Sequence, residues 1–221
     1  LFNLNLSADE FDISAKEIFI DKENKIVIGT GSVKAIDSEG KIITADKITY
    51  EKSKEFLLAE GNVKVADIEG NILATDKSTY DKMNEIITTY GKTDLILKEG
   101  YNLKSKNIKY NSRKKILSSN TESILTDMDG NNIMLSMFQY NIEQKLLSSL
   151  GKIKIIDKNK NKYFFKELHV DTLTKEMVGS DVSILFDQEN FGLSSKIMSM
   201  AYLIKWFLWS SGFIDPATLM P

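Results

Sequence analysis

The sequence predicts an all-β protein, an antiparallel repeat of about twelve bent strands that come from six copies of a 30-residue unit. Three features predict this fold: glycines recur at a fixed spacing, tyrosines recur at the same spacing, and apolar residues alternate with polar ones inside each copy. The copies run from about residue 11 to residue 190, and such a fixed period is the signature of a repeat architecture. The recurring positions are Gly40, Gly70, Gly100 and Gly130 in one column, Tyr50, Tyr80, Tyr110 and Tyr140 in a second, and Gly31, Gly61, Gly91 and Gly151 in a third.

Each copy is predicted to form two strands joined as a hairpin. Period-two alternation indicates strands, and a slip of the alternation at a glycine indicates a bulge or bend. Turn chemistry punctuates every copy, with an acidic residue and a glycine at one end and a polar run such as residues 51–54 at the other. The alternation slips once in each strand, at Asp46-Lys47 in the first and at Gly61 in the second. The apolar positions around these slips are Ile43, Ala45, Ile48 and Tyr50 in one strand and Phe56, Leu58, Val63 and Val65 in the next.

The bends are predicted to lie side by side. When the hairpins are paired on paper, Asp46 falls opposite Ala59 or Glu60, next to Gly61, and Gly61 falls opposite Asp76 or Lys77. The bends of successive strands then form one line, and the sheet folds along this line into two leaves with a V-shaped section. We therefore expect Asp46 and Gly61 to meet at a corner of the sheet.

The inner surface of the V is predicted to be apolar along its length. Two interpretations fit this pattern. Either the core is filled by its own side chains, or an open groove shelters a lipid chain. Each methylene that the groove buries would contribute about 0.8 kcal/mol to binding. One column that shows the pattern reads Ala35, Val65, Leu95, Leu125, Ile155 and Leu185. The residues predicted to line the lipid groove are Ile43, Ala45, Ile48, Phe56, Leu58, Val63, Val65, Leu73, Ile86, Leu95, Leu103, Ile108, Ile116, Leu125, Ile133, Phe138, Leu146, Ile153 and Ile155.

The composition argues against several other functions. The chain has 27% charged residues, a net charge of −2 and a single arginine, Arg113, so nothing indicates a nucleic-acid partner. It has no cysteine, which removes disulfides and thiolate metal sites. The lone histidine, His169, falls in a column of outward-facing polar residues, and residues 127–130 lack the distal glutamate of a calcium loop. We therefore expect no enzyme, and no catalytic residue, cofactor or metal.

Two phrases of the sequence resemble a known family. Residues 43–50, ITADKITY, followed by residues 59–65, AEGNVKV, resemble the OstA-like repeat, and the likeness covers about residues 11–190. That repeat occurs in bacterial lipopolysaccharide-transport proteins, among them the periplasmic bridge protein LptA and the N-terminal periplasmic domain of LptD. The resemblance implies a twisted β-jellyroll on the periplasmic side of the outer membrane, with an apolar interior that carries the acyl chains of lipopolysaccharide. It also implies edge-to-edge joining with other such domains and an outer-membrane barrel as a further partner; LptA-like and LptD-like identities both stay open.

The sequence predicts a domain boundary near residue 192. Residues 1–192 form the repeat domain, and residues 193–221 are an atypical apolar tail, whose segment 197–209 is short for a membrane span. We favour two interpretations of the tail, a strand added to the last copy or sequence foreign to the repeat. Two further functions stay open for the whole chain: a structural or adhesive solenoid with a closed core and, less favoured, a polysaccharide-active enzyme on a β-helix.

Overall fold

A computed structural model shows that the protein is all-β. It describes residues 4–8, 11–38, 40–98, 100–174 and 176–186, and of residues 4–8 only the backbone. In these residues the regular structure is strand, apart from a single turn of 3-10 helix at Lys52–Lys54. The chain divides into two compact units, Leu1–Leu117 and Ser118–Pro221. The predicted boundary at residue 192 and the predicted tail lie outside the described residues.

The first unit is an antiparallel sheet of successive hairpins. Its long strands pair in chain order, each with the strand before it and the strand after it. The short β1 pairs with β2, and β3 pairs with β4. The strands are β1 (Leu4–Ala8), β2 (Phe11–Ala15), β3 (Glu17–Asp21), β4 (Ile26–Asp37), β5 (Ile42–Glu51), β6 (Phe56–Ala66), β7 (Ile72–Asp81), β8 (Ile86–Ile96), β9 (Asn102–Ser105) and β10 (Lys109–Asn111). The division between the units falls within β11 (Ile116–Ser119).

Each long strand of the first unit is split by a register shift into two halves. We name the half next to the polar turns the A half and the half next to the Gly-containing turns the B half. In β5, for example, the B half pairs up to Thr44 and the A half resumes at Lys47, opposite Glu60 of β6. The shift recurs at the same place in the pairings of β4 with β5, β6 with β7 and β7 with β8. These shifts mark the bends that the alternation predicts.

The predicted meeting of Asp46 and Gly61 is confirmed. Gly61 has φ +75°, and a Cβ added there would collide with the Asp46 carboxylate. The next bend repeats the arrangement, since a Cβ on Gly91 (φ +84°) would lie 2.7 Å from Oδ2 of Asp76. Glycine is required at these positions because the backbone is left-handed and the neighbouring carboxylate occupies the space of a side chain.

Most turns next to the A halves are closed by the Asp or Asn side chain that ends the strand; Glu51, which ends β5, makes no such bond. Oδ1 of Asp21 accepts a hydrogen bond of 2.9 Å from the backbone N–H of Asn24, and Oδ2 accepts one of 2.8 Å from the Asn24 amide. Asp81 and Asn84 repeat both bonds. A left-handed residue completes each turn, such as Lys25 at φ 56°. Because an Asx side chain imitates a backbone turn, the polar runs of the sequence form tight hairpins.

Three of the described turns next to the B halves depend on an aspartate four residues before an asparagine. Oδ1 of Asp67 accepts the backbone N–H of Asn71 at 2.9 Å, and Oδ2 accepts the Asn71 amide at 2.7 Å. The free end of that amide, Oδ1 of Asn71, accepts the backbone N–H of Lys98 at 3.1 Å. Lys98 belongs to the corresponding turn of the next copy, so this turn is tied to the following one.

The second unit is built from the same kind of hairpin. Its strands are β12 (Ser123–Thr126), β13 (Asn132–Leu135), β14 (Met137–Asn141), β15 (Leu146–Ile156), β16 (Lys162–Asp171), β17 (Glu176–Ser180) and β18 (Ser183–Leu185). β13 and β14 pair with successive parts of β15, which pairs with β16, and β16 pairs with β17 and β18. The turn at Asp157 and Asn161 repeats the hydrogen bonds of Asp67 and Asn71.

One expected inner position of the second unit is wrong. Leu185 was predicted to continue the column of Ala35 and Val65, but it pairs with Lys162 and is 59% exposed, while Ile184 pairs with Tyr163. The pairing of β16 keeps one register through β17 and β18, without the shift seen at the other bends. Asp181 occupies the position that is glycine at the bends between β5 and β6 and between β7 and β8. Because β17 and β18 lack the extra residue of a bulge, Ile184 points inward and Leu185 points outward.

Candidate functional site

The inner face of the B halves in the first unit carries a continuous aliphatic row. Residues directly opposite each other in an antiparallel pair project from the same face of the sheet. The pairings Ile43 with Val65 and Leu73 with Leu95 therefore place all four side chains on one face. The complete row runs across six pairings and consists of Ile13, Ala35, Ile43, Val65, Leu73, Leu95 and Leu103.

The inner face of the A halves carries a second row, in which aliphatic and tyrosine side chains alternate. Tyr50 lies opposite both Val27 and Leu57, and Ile87 lies opposite both Tyr80 and Tyr110. The row as a whole consists of Val27, Tyr50, Leu57, Tyr80, Ile87 and Tyr110. The recurring tyrosines Tyr50, Tyr80 and Tyr110 are thus inner residues, each one residue before the end of its strand.

The two rows face each other and close the interior at the start of the first unit. Phe11 lies at the far end of a B half and Tyr50 at the far end of an A half, yet their rings meet edge to face with centroids 5.2 Å apart. Ile13, Ala35 and Ile48, which lie between them, are at most 1% exposed. The interior of the first two copies is therefore filled by the protein's own side chains.

Further along the first unit the inner rows are partly open. Val65, Leu73 and Ile87 belong to the inner rows but are only half-buried. Charged side chains stand at this opening: Nζ of Lys41 lies 5.8 Å from the centroid of the Tyr80 ring. Burial raises the pKa of Tyr110, with Lys41 opposing and Glu69 and Asp67 adding to the rise. Solvent can reach this apolar surface, and charged side chains border it. Such a surface suits an amphiphilic ligand.

The corner of the first unit changes from aliphatic to hydroxyl side chains. Ala45 and Val63 line it near the first copies, whereas Thr75, Thr89 and Thr93 line it further on, all of them buried. Thr75 and Thr93 share a hydrogen bond of 3.0 Å, Thr93 donates to Thr89 at 2.9 Å, and Thr89 accepts the backbone N–H of Ile108 at 2.8 Å. We name these three residues the threonine cluster. It makes the deepest part of this interior polar but fully hydrogen-bonded.

The second unit has inner rows of its own. Ile155 lies opposite both Ile133 and Tyr163, and Leu125 lies opposite Ile133. Tyr163 is buried and donates to Oδ2 of Asp157 at 3.1 Å. Burial, together with the charge and hydrogen bond of Asp157, raises the pKa of Tyr163 far above its usual value. Tyr163 is therefore a fixed neutral donor that ties the inner row to the adjacent turn.

The predicted groove residues fall into three groups according to their burial and the face of the sheet on which they lie. Those that are buried are Ile43, Ala45, Ile48, Val63, Leu95, Leu103, Ile108, Phe138, Ile153 and Ile155. Those that are half-buried in the inner rows are Val65, Leu73, Leu125 and Ile133, and Ile116 is also half-buried. The remaining ones, on the outer face, are Phe56, Leu58, Ile86 and Leu146.

The expected face of these last four residues is wrong. Phe56 lies opposite Glu51, and Leu58 lies opposite Thr49, whereas Tyr50 lies opposite Leu57. Ile86 and Leu146 likewise lie opposite Asp81 and Asp171. Glu55 takes a left-handed conformation (φ 47°) at the end of the turn, which sets the pairing so that odd-numbered residues of this strand half point inward. Leu57 and Ala59, which the sequence analysis missed, are the inner residues, and the four-residue turn length was the signal that could have shown it.

His169 lies in a hydrogen-bonded chain with a serine and a glutamate. Its Nδ1 is 3.0 Å from Oγ of Ser148, and its Nε2 is 2.9 Å from Oε1 of Glu167. All three lie on the outer face of β15 and β16, and both strands are paired on each side. The surrounding backbone N–H groups are engaged in these ladders, so they do not form the oxyanion site that a serine nucleophile needs.

No cluster of three or more potential metal ligands occurs among the described residues. In the same part of the chain, no helix is long and apolar enough to cross a membrane.

Comparisons with known proteins give structural likenesses only. No family model matches the chain, and no curated protein matches it. LptH of Pseudomonas aeruginosa, the LptA-homologous periplasmic component of its lipopolysaccharide transport device, matches with a TM-score of 0.24 and 10% identity over 80% of this chain and 94% of that one. The TCP10 domain of Danio rerio CPAP matches with a TM-score of 0.20 and 9% identity over 78% of this chain and 99% of that one. Values this low establish neither a family nor a ligand for this chain.

Proposed function

We propose that this protein is a periplasmic lipopolysaccharide-transport module, LptA-like or LptD N-terminal domain-like, which shelters acyl chains against its inner apolar rows and catalyses no reaction. The observation that carries the proposal is the partial exposure of Val65, Leu73 and Ile87 inside rows of aliphatic and tyrosine side chains. An acyl chain that packs on them is removed from water, which contributes about 0.8 kcal/mol of favourable binding free energy for each buried methylene.

The ends of the first unit's sheet suit edge-to-edge joining with other jellyroll domains. Among the described residues, β1 pairs with β2 alone and β3 with β4 alone. Phe19 in β3 is 62% exposed. An unpaired edge is a template for strand addition from another chain. Such joining would pass the lipid onward toward the outer membrane, where a barrel is the further partner.

Photocrosslinking with matched leucine positions tests the proposal. One variant carries a photoreactive amino acid at position 73, in the inner row, and the other carries it at position 58, on the outer face of a neighbouring strand. The two positions are matched because both leucines are half-buried. With purified lipopolysaccharide we expect an adduct at Leu73 and none at Leu58, measured by mass shift. Equal labelling at the two positions, or none at Leu73, would reject the transport function.

A closed-core structural scaffold is the second candidate function. The contact between Phe11 and Tyr50 and the nearly complete burial of Ile48 favour it, because no space for a ligand is visible at these residues. A scaffold keeps this contact permanently, whereas a transporter that uses the whole interior must open it. Phe11→Ala, which removes this contact, therefore discriminates the two: in a transporter that opens here it raises the capture of lipopolysaccharide at Leu73, whereas in a scaffold it lowers stability and leads to no capture.

A further inference from the structure

The outer face of the B halves in the first unit carries an aliphatic row of its own. Neighbouring residues of a strand project from opposite faces, and directly opposed residues of two strands share a face. Ile36 lies opposite Ile42, and Ile72 lies opposite Ile96. The complete outer row crosses β4 to β8 and consists of Ile36, Ile42, Ala66, Ile72 and Ile96. Ile96 is 47% exposed and the other members are half-buried, so a face expected to be polar presents apolar side chains to solvent.

A row that contains three lysines runs beside this isoleucine row on the same face, two residues closer to the bend in each strand. Lys34 and Lys64 both lie opposite Thr44, and Lys104 lies opposite Asp94. With strands about 4.8 Å apart, Lys34 and Lys64 are separated by about 10 Å, and Lys64 and Lys104 by about 14 Å. All three lysines are exposed, and none of them forms an ion pair with any residue that the structure describes.

The acidic side chains of this face leave the three lysines uncompensated. Oδ2 of Asp94 lies 3.9 Å from Nζ of Lys92, so this carboxylate already has a cation beside it. Asp12 lies opposite Ile36, at the end of the isoleucine row and away from Lys64 and Lys104. The face therefore combines an apolar strip about 19 Å long with unpaired positive charge along one border. A partner that fits both features is apolar and carries negative charge at its surface.

We propose that the outer face of these B halves docks on the surface of a bilayer that contains anionic phospholipid. The isoleucine row contacts the boundary between headgroups and acyl chains, where branched aliphatic side chains leave water. Lys34, Lys64 and Lys104 lie at the headgroup phosphates, which attract lysines within a Debye length of the surface. Their long aliphatic stems allow the ammonium groups to reach phosphate while the strands lie flat. These side chains lie on the opposite face of the sheet from the inner rows, so the inference does not depend on the proposed function.

Sedimentation with vesicles tests the role of the lysines. The vesicles contain phosphatidylcholine and phosphatidylglycerol in equal parts, or phosphatidylcholine alone. The test variant neutralises the lysines of the outer row, and the control neutralises as many exposed lysines at the turns next to the A halves. The substitutions are Lys34→Gln, Lys64→Gln and Lys104→Gln in the test variant, and Lys22→Gln, Lys54→Gln and Lys114→Gln in the control.

We expect the unsubstituted chain and the control to bind the anionic vesicles equally, and the test variant to bind at least tenfold more weakly. Binding to phosphatidylcholine alone should be at least tenfold weaker as well. An equal loss in the two variants, no loss in the test variant, or no preference for the anionic vesicles would overturn the proposal.

An environment-sensitive dye tests which face meets the lipid. The chain has no native cysteine, so a single introduced cysteine can be labelled specifically. Ile96→Cys places the dye in the isoleucine row, and Phe19→Cys places it at an exposed apolar position on the outer face of an A half. With anionic vesicles we expect a blue shift of the emission at position 96 and none at position 19. A shift at both positions, or none at position 96, would contradict the docking. A shift at position 96 that appears without vesicles as protein concentration rises would assign this face to a second copy of the chain and equally overturn the proposal.

Discussion

Nδ2 of Asn62 donates a hydrogen bond of 2.8 Å to Oδ2 of Asp46, and the pair closes over Gly61 at the bend between β5 and β6. The carboxylate therefore lies where a side chain at residue 61 would begin. This contact joins two neighbouring strands at the point where both change direction.

Gly61→Ala is expected to destabilise the protein by about 2–4 kcal/mol, because left-handed strain and the collision with Asp46 add together. Urea unfolding measures the loss. Gly70→Ala is the matched control: Gly70 also has positive φ (+96°), but the nearest atom to its added Cβ is 3.8 Å away. The control should lose only about 1–2 kcal/mol. Equal losses in the two variants would show that the Asp46 contact has no steric role.

Thr89→Val is expected to cost about 1–3 kcal/mol, since it leaves the buried N–H of Ile108 without its hydrogen-bond partner. The change keeps the shape of the side chain, so packing is preserved. Thr79→Val, on the outer face of a neighbouring strand, is the control and should change the free energy of unfolding by less than about 0.5 kcal/mol. A neutral Thr89→Val would mean that the threonine cluster is not needed for stability.

Phe11→Ala is expected to cost about 3–5 kcal/mol, because it removes a buried ring that packs on Tyr50 and Tyr80. Phe19→Ala, at a position that is 62% exposed, should be nearly neutral. The loss of near-ultraviolet circular dichroism from the tyrosines provides a second measurement. If both variants behave alike, Phe11 does not close the interior.

Stability is expected to fall at low pH partly through Asp67. Partial burial raises the pKa of its carboxyl, but the hydrogen bonds from Asn71 and from the N–H groups of the turn outweigh this, so the net pKa lies below the usual 3.8. A lowered folded-state pKa stabilises the protein above pH 3.8, and this stabilisation disappears as pH falls through the folded value. Asp67→Asn should therefore flatten the pH dependence of the unfolding free energy in this acidic range. Parallel profiles for the two proteins would contradict it.

The sequence predicts the fold well where a local signal suffices. Glycine at position 61 and the period-two alternation are local, so the strands, turns and bends follow from them. The face of Phe56 and Leu58 was wrong because it depends on one left-handed residue, Glu55, that no propensity indicates. Both faces of these strands carry apolar residues, so the hydrophobic pattern alone cannot choose between them.

The interior was predicted only in outline. Its apolar rows follow from the columns of the repeat, but the threonine cluster depends on which hydroxyls meet across strands. The closure at Phe11 is also a long-range contact, since it brings together the two halves of a folded sheet. Whether a lipid reaches these rows stays a prediction for the crosslinking experiment.

The amide of Asn71 holds its own turn with one end and the backbone of Lys98 with the other, and Asn131 does the same with Lys158. Each such link spans 27 residues. One residue added inside a strand would pull that link apart and reverse every side chain beyond it. Lengthening or shortening the strands between two linked turns without such damage therefore requires the gain or loss of a whole copy.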